Sequence, residues 1–381
     1  MTLNESLSVY TEQLRHQGLL RTRRLVKEHD KNLVYFDSND YLLLRQDKVL
    51  SAAYQKGFAL FPIGSGGSML LSGYHANHQK VERAFAEFLG VDDCILFSSG
   101  YAANLSLATL LGKLNAVCVI DKGVHASVYD GLKLAEIPYQ RFLHNDMEDL
   151  AQQLSKLSTN SAVLTEGLFS MSGQCAPLDT ISKLCNKTNA VLLVDEAHSF
   201  GVLGLNGRGA TASHQLSQAE VPLRMIALGK AFGAQGALVA GCGRWIEALL
   251  QAGRSLIYST AVSPAMSYGF MSSLEAVAMA DEKREYLSGL IKQFRACINK
   301  SPMKWANSHS PIQQLQLGSV AQALLVVERL RQRGFICSAI RPPTVAPKYA
   351  GLRIVLNSGH CEEQINKLFC LLEELYDYSP A

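Results

Sequence analysis

Four short stretches carry side chains that could do chemistry, and each follows a run of apolar residues. Asp195-Glu196-Ala197-His198 comes directly after Val191–Val194. A carboxylate with an imidazole three residues on can be a metal pair or a capped turn, and the spacing does not choose between them. Lys230 follows Met225–Leu228 and sits among small residues. Desolvated there, its amine would be neutral and nucleophilic; the plainer reading is a surface lysine with its stem on apolar ground. Ser98-Ser99-Gly100-Tyr101 turns from a strand into a helix. The unpaired N–H groups of a helix start suit a phosphate, although many strand-to-helix turns share that feature. His125, in Gly123-Val124-His125-Ala126-Ser127, lies just beyond another apolar run. It is either hydrogen-bonded structure or a flat face for a ligand ring.

Together the four suit one ligand type, an aromatic aldehyde phosphate. Lys230 can bond the aldehyde, the Gly100 turn can take the phosphate, and the His125 imidazole can stack on the ring. Asp195 can keep a pyridine nitrogen protonated, so that the ring accepts electrons.

These residues need a scaffold that presents strand ends side by side. Apolar runs at Cys94–Phe97, Val117–Ile120, Ala162–Thr165, Val191–Val194, Met225–Leu228 and Ala237–Ala240 alternate with helical patterns such as His78–Leu89 and Tyr101–Leu111. Continuous apolar strands separated by helices predict a largely parallel sheet covered on both faces, with ligands at the carboxyl ends of the strands. Leu33–Phe36 reads as a short strand, and Leu3, Leu7 and Leu14 predict a helix over 3–27. Beyond Pro264 a long helical pattern runs from Met266 to Leu287 and on to Cys297. A smaller α+β unit follows, with a strand near Gln313–Leu317, a helix over Val320–Arg333 and a strand at Leu352–Leu356.

Composition narrows the function classes. The 36 basic and 33 acidic residues are spread along the chain, and no basic stripe marks a nucleic-acid binder. The densest basic run, Arg21, Arg23, Arg24 and Lys27, reads as a solvated helix face. Nine scattered cysteines without a CxxC pair indicate neither a zinc ribbon nor a disulfide framework, and free thiols fit a reducing compartment. No uncharged apolar run approaches the roughly 20 residues that span a bilayer, and the polar N-terminus lacks a signal-peptide core. A soluble cytoplasmic protein, bound to neither membrane nor nucleic acid, is the expectation.

Residues 33–360 resemble the α-oxoamine synthases, a family of fold-type I pyridoxal-phosphate enzymes. The resemblance is carried by Ser38-Asn39-Asp40-Tyr41-Leu42, Gly64-Ser65-Gly66-Gly67-Ser68, Leu71-Ser72-Gly73-Tyr74-His75, Thr165-Glu166-Gly167-Leu168-Phe169-Ser170-Met171, Asp195–Ser199 and Leu228-Gly229-Lys230. It implies an α/β transferase of fold type I, with a mostly parallel seven-stranded sheet flanked by helices. The expected divisions are an N-terminal helix and short strands over 1–50, a large cofactor-binding domain over 51–265, and a small α+β domain over 266–381.

The resemblance also implies roles. Lys230 would bond the aldehyde of pyridoxal 5'-phosphate, Asp195 would partner the ring nitrogen, and His125 would stack on the ring and touch substrate. These three are the implied catalytic residues. His198 would hydrogen-bond the phenolic oxygen with Ser170 close by, while Gly100 and Tyr101 would bind cofactor at the helix start. Arg353 would grip the amino acid's carboxylate, and Asn39 would contact substrate. Ser259 and Thr260, after Tyr258, would reach the phosphate of a neighbouring subunit, which implies a homodimer. Two positions depart from the family pattern. Ala227 stands where a threonine often meets the phosphate, and Leu43 where glycine is common near the substrate entrance.

Ala339-Ile340-Arg341-Pro342-Pro343-Thr344-Val345 is similar to the branch of the family that condenses L-alanine with a pimeloyl thioester. In that branch Thr344 and Arg21 would contact substrate. Pro342-Pro343 is otherwise a rigid loop that any member could carry, and Ala346 is an added residue. The implied reaction loses carbon dioxide and frees the thiol, whose carrier is open between coenzyme A and acyl carrier protein. Family members that use glycine with acetyl or succinyl donors are the alternative. A catalytically silent partner subunit should lack Lys230, and the glycine-rich and Ser-Gly-Tyr stretches argue against an aminotransferase.

Overall fold

The computed structural model describes residues 1–26, 30, 32–157 and 160–377. Lys27, the end of the basic run, lies outside the described residues. The chain forms two compact units. The larger comprises Asn39–Ser170 and Gln174–Tyr286; the smaller comprises Met1–Ser38, Met171–Gly173 and Leu287–Ala381.

The larger unit is built on a seven-stranded sheet. Its strands, in spatial order, are Asp93–Phe97, Ala237–Gly241, Leu223–Ala227, Val191–Asp195, Ser161–Glu166, Val117–Asp121 and Tyr139–Phe142. Ala237–Gly241 runs antiparallel to both neighbours, and the other pairings are parallel. All six residues of Ser161–Glu166 are buried, which is why the strand reads as an unbroken apolar run rather than an alternation. Tyr139–Phe142, at the sheet's edge, gives no such run: only Phe142 of its four residues is buried.

Small side chains let two helices close on each other beside this sheet. Gly100–Lys113 is rich in alanine and leucine, and it packs against Ala126–Leu134. At the crossing, a Cβ on Gly131 would lie 2.8 Å from Ala108 Cβ and 3.2 Å from the Asn104 carbonyl oxygen. Only glycine permits that approach without displacing backbone. The pattern expected as one helix from Met266 is two, Pro264–Ala278 and Asp281–Lys300, broken at Met279 and Ala280.

The smaller unit holds an antiparallel sheet in the order Ser338–Ile340, Gly351–Val355, Ile312–Gln316, with Val320–Gln332 packed on its first two strands. Val34–Tyr35 pairs in parallel with Phe335–Ile336. The N-terminal helix stops at His16 rather than near residue 27. Gly18 adopts φ +65°, and the Leu19 and Leu20 N–H groups fold back onto the Leu14 carbonyl, closing the last turn.

Candidate active site

Three neighbouring strands of the large sheet end in carboxyl groups: Asp121, Glu166 and Asp195. Glu166 and Asp195 are register partners on parallel strands, so their side chains leave the sheet on the same face. Glu166 is 2% exposed. The Ser170 N–H donates to its Oε2 at 3.2 Å, while Oε1 is buried with no hydrogen-bond partner among the described residues. Burial pushes the Glu166 carboxyl well above the usual range; the nearby Asp195 charge adds to this and the Lys230 charge opposes it. Asp195 is differently placed. The Ala197 N–H donates to Oδ1 and the Asn104 amide to Oδ2, both at 2.9 Å. Of two carboxyls at one strand edge, Glu166 is therefore the one whose burial favours the protonated form.

The stretch from Asp195 to His198 is a capped turn. The His198 ring, nearly buried, meets the Tyr41 hydroxyl through Nδ1 at 2.6 Å. Glu196 points elsewhere: it accepts from Ser199 Oγ at 2.9 Å and from the N–H groups of Ala210 and Thr211 at 2.6 and 3.1 Å, with Arg224 3.7 Å away. It anchors the following loop. Lys230 lies half-buried in the turn after Leu223–Ala227, and its charge is felt by both Glu166 and His125. That turn closes through Gly233, at φ +74°, whose N–H bonds the Lys230 carbonyl.

Gly100 begins its helix behind Ser99, whose hydroxyl accepts from the Ala102 N–H. The N–H groups of Gly100 and Tyr101 belong to the first turn, which has no intrahelical acceptors. His125 caps the next helix and accepts the Ser127 N–H at Nδ1. The Tyr101 ring stands edge-on to it, with centroids 6.5 Å apart. Asn104 Nδ2 reaches both Ser127 Oγ and Asp195 Oδ2 at 2.9 Å, and Ser127 Oγ meets His125 Nδ1 at 2.8 Å. Asn104, Ser127 and Tyr41 were not singled out from sequence as site residues. The available signals were their spacings, Asn104 one helical turn after Gly100 and Ser127 two residues after His125.

A pyridine ring bearing an aldehyde and a phosphate requires an anion for its nitrogen, an amine and N–H donors. Asp195, Lys230 and the Gly100 turn supply all three within the larger unit, so these residues fit pyridoxal 5'-phosphate. Ser259 and Thr260 are exposed between Arg254–Ile257 and Pro264–Ala278. Asn39 is half-buried at the start of the larger unit. Arg21, Thr344 and Arg353 belong to the smaller unit: Arg21 donates to Thr344 Oγ1 at 3.0 Å, and Arg353 is 6% exposed on the central strand. At Leu43 the backbone adopts φ +54°, the conformation a glycine would take freely. A side chain in that conformation costs about 1 kcal/mol.

Residues 31–370 match the family described as aminotransferase class I and II. The chain is 41% identical over 348 residues to an 8-amino-7-oxononanoate synthase of Hahella chejuensis, spanning 91% of this chain and 87% of the relative. An enzyme of the same name from Thioalkalivibrio sulfidiphilus is 38% identical over 378 residues, 96% of each chain. Among solved structures, the 8-amino-7-oxononanoate synthase of Francisella tularensis superposes with a TM-score of 0.82 at 32% identity, covering 92% of this chain and 99% of that one. A serine palmitoyltransferase from S. paucimobilis, solved with PLP, reaches 0.91 at 26% identity over 99% of both. Backbone likeness thus extends across chemically different relatives, while sequence identity is higher with the first name.

Proposed function

The chain belongs to the aminotransferase class I and II family and, within it, to the α-oxoamine synthases; on that premise we propose that it condenses L-alanine with a pimeloyl thioester. The products are 8-amino-7-oxononanoate, carbon dioxide and free thiol. The observation that carries this reading is identity of 38–41% with relatives of that name across nine-tenths or more of the chain.

Pyridoxal 5'-phosphate, when bound, supplies an electron sink for charge developing at the amino acid's Cα. The chain's own residues do the rest. Asp195 would hold the ring nitrogen's proton, and the Gly100 and Tyr101 N–H groups would take the phosphate. Lys230, as an amine, removes the proton from alanine Cα and returns one at the end. His125 would cover the ring, and His198, held by Tyr41, would with Ser170 bond the phenolic oxygen. Arg353 pairs with the alanine carboxylate, for which a bidentate guanidinium is suited. Asn39 contacts substrate, while Arg21 and Thr344 meet the polar far end of the pimeloyl chain.

A homodimer completes this reading. Ile63, Leu71 and Tyr258 are 77%, 83% and 72% exposed. Hydrogen bonds of Gly67 and Ser65 to Ala261 join the segments that carry these exposed apolar side chains. A second copy would cover them and receive Ser259 and Thr260. The free cysteines support a cytoplasmic location, and no helix among the described residues is long and apolar enough to cross a membrane.

The test is to incubate purified protein with alanine, glycine or serine and with pimeloyl, succinyl or acetyl thioesters, measuring carbon dioxide and free thiol. The highest kcat/KM is expected for alanine with pimeloyl. A preference for glycine with acetyl or succinyl would overturn the substrate assignment.

A further inference from the structure

We propose that Asn104 and Ser127 are positioning residues that fix His125 as the neutral tautomer with its proton on Nε2. The chain of donors begins at Asp195. A carboxylate can only accept, so the Asn104 atom 2.9 Å from Asp195 Oδ2 is the amide nitrogen and donates. Its second proton goes to Ser127 Oγ, also at 2.9 Å. Ser127 Oγ therefore accepts on that side and sends its own proton to His125 Nδ1, 2.8 Å away. The Ser127 backbone N–H reaches the same nitrogen at 3.3 Å. A ring nitrogen that accepts from two donors carries no proton, so the proton of the neutral ring is on Nε2.

Each member is held so that it cannot drift. Asn104 and Ser127 are 6% and 0% exposed, and their two helices meet where Gly131 removes the side chain that would separate them. The charged groups acting on His125 are Asp195, Lys230 and Asp130, and partial burial lowers its pKa in the same direction as the relay. The geometry stands without any assignment of substrate. Only its consequence, that the ring over the cofactor offers an N–H and no positive charge, rests on the reading above.

Histidine-selective 15N NMR on the full-length protein tests this, with His125 identified by its loss in His125→Gln. The wild-type signal should show Nδ1 unprotonated and Nε2 protonated. Ser127→Ala removes the hydroxyl donor while keeping the fold. It should mix the tautomers and raise the titration midpoint of His125 by about one pH unit, the worth of one hydrogen bond. Asn104→Ala leaves Ser127 able to donate and should shift the midpoint less. In the cofactor-loaded protein, the pH midpoint of the visible band should move with Ser127→Ala, a readout that the loss of stability from the unpaired Asn104 N–H would not itself shift. A wild-type Nδ1–H tautomer, an unchanged titration in Ser127→Ala, or a larger shift in Asn104→Ala would each overturn the proposal. None of these outcomes depends on which thioester is consumed.

Discussion

Asp121 and Asp195 end parallel strands two apart in the same sheet, yet their surroundings use them in different ways. Asp121 is fully buried, and its own chain occupies both oxygens: the Gly123 N–H at 2.6 Å and His144 Nδ1 at 2.8 Å on Oδ1, the Asn145 N–H at 2.9 Å on Oδ2. His144 is wedged edge-on against Phe169, centroids 4.3 Å apart. Asp195 accepts one donor on each oxygen and stays 8% exposed, so it retains lone pairs for a further partner. An acidic residue at a strand end is thus either a clamp for the loop that follows or a charge offered to a ligand. What decides is how many donors the neighbouring backbone turns toward it.

The sharpest way to break this comparison is to neutralise each in turn. Asp195→Asn should cost less stability than Asp121→Asn, because two donors face it rather than three and the Asn104 amide can turn its oxygen to the new nitrogen, while kcat falls by about 10²–10³-fold, the usual loss when a preorganised charge is removed from a reacting site. Asp121→Asn should do the reverse. An amide nitrogen set against N–H donors leaves buried groups unsatisfied, at a cost of about 1–3 kcal/mol in stability, with turnover of the folded fraction retained. Paired denaturation and turnover measurements check both, and a stability loss in Asp195→Asn as large as in Asp121→Asn would erase the distinction.

Glu166, on the strand between them, offers a test by pH. Its folded carboxyl lies above the unfolded value, so the native state binds a proton the unfolded chain releases. That stabilisation is complete below the ordinary carboxylate range and is lost as pH rises through the folded value. The slope is up to about 1.4 kcal/mol per pH unit. Glu166→Gln, which mimics the protonated form, should remove this decline, so its melting temperature should gain on wild type as pH rises. Parallel curves across pH would show that Glu166 is ionised throughout.

The smallest effect is expected at Ala227. Ala227→Thr would supply the hydroxyl that this family often presents to the phosphate. Tighter cofactor retention, by about 1 kcal/mol for one net hydrogen bond, would appear in dialysis or fluorescence titration.

Much of the fold was legible because buried parallel strands have to be apolar throughout, and Lys230 and Asp195 stood out as polar residues directly after such runs. Tyr139–Phe142 gave no signal, because an edge strand can alternate polar and apolar residues without cost. The break at Met279 and Ala280 carries no proline or glycine, and its one local mark is the acidic pair Asp281 and Glu282 that opens the next helix. Asn104 and Ser127 look like ordinary helix polars. Their role depends on which neighbour faces them, and that is set by helix packing rather than by their own segments. Glu196 shows the converse, since sequence gives it the same standing as Asp195 while the fold turns it into an anchor for the Ala210 loop.

Gly131 lies six residues beyond His125, about 9 Å along the helix axis, and touches nothing that reacts. It works as a mechanical stop. The helix bearing the imidazole rests on Ala108 and Asn104 where a side chain is missing, and that seat sets how far the ring stands from the strand end. A methyl group there would act as a wedge near the far end of a lever. The tilt it forces would be felt at His125 as a lateral displacement, with every site residue still present. Tolerance at this silent position is therefore a gauge of how much slack the chemistry allows.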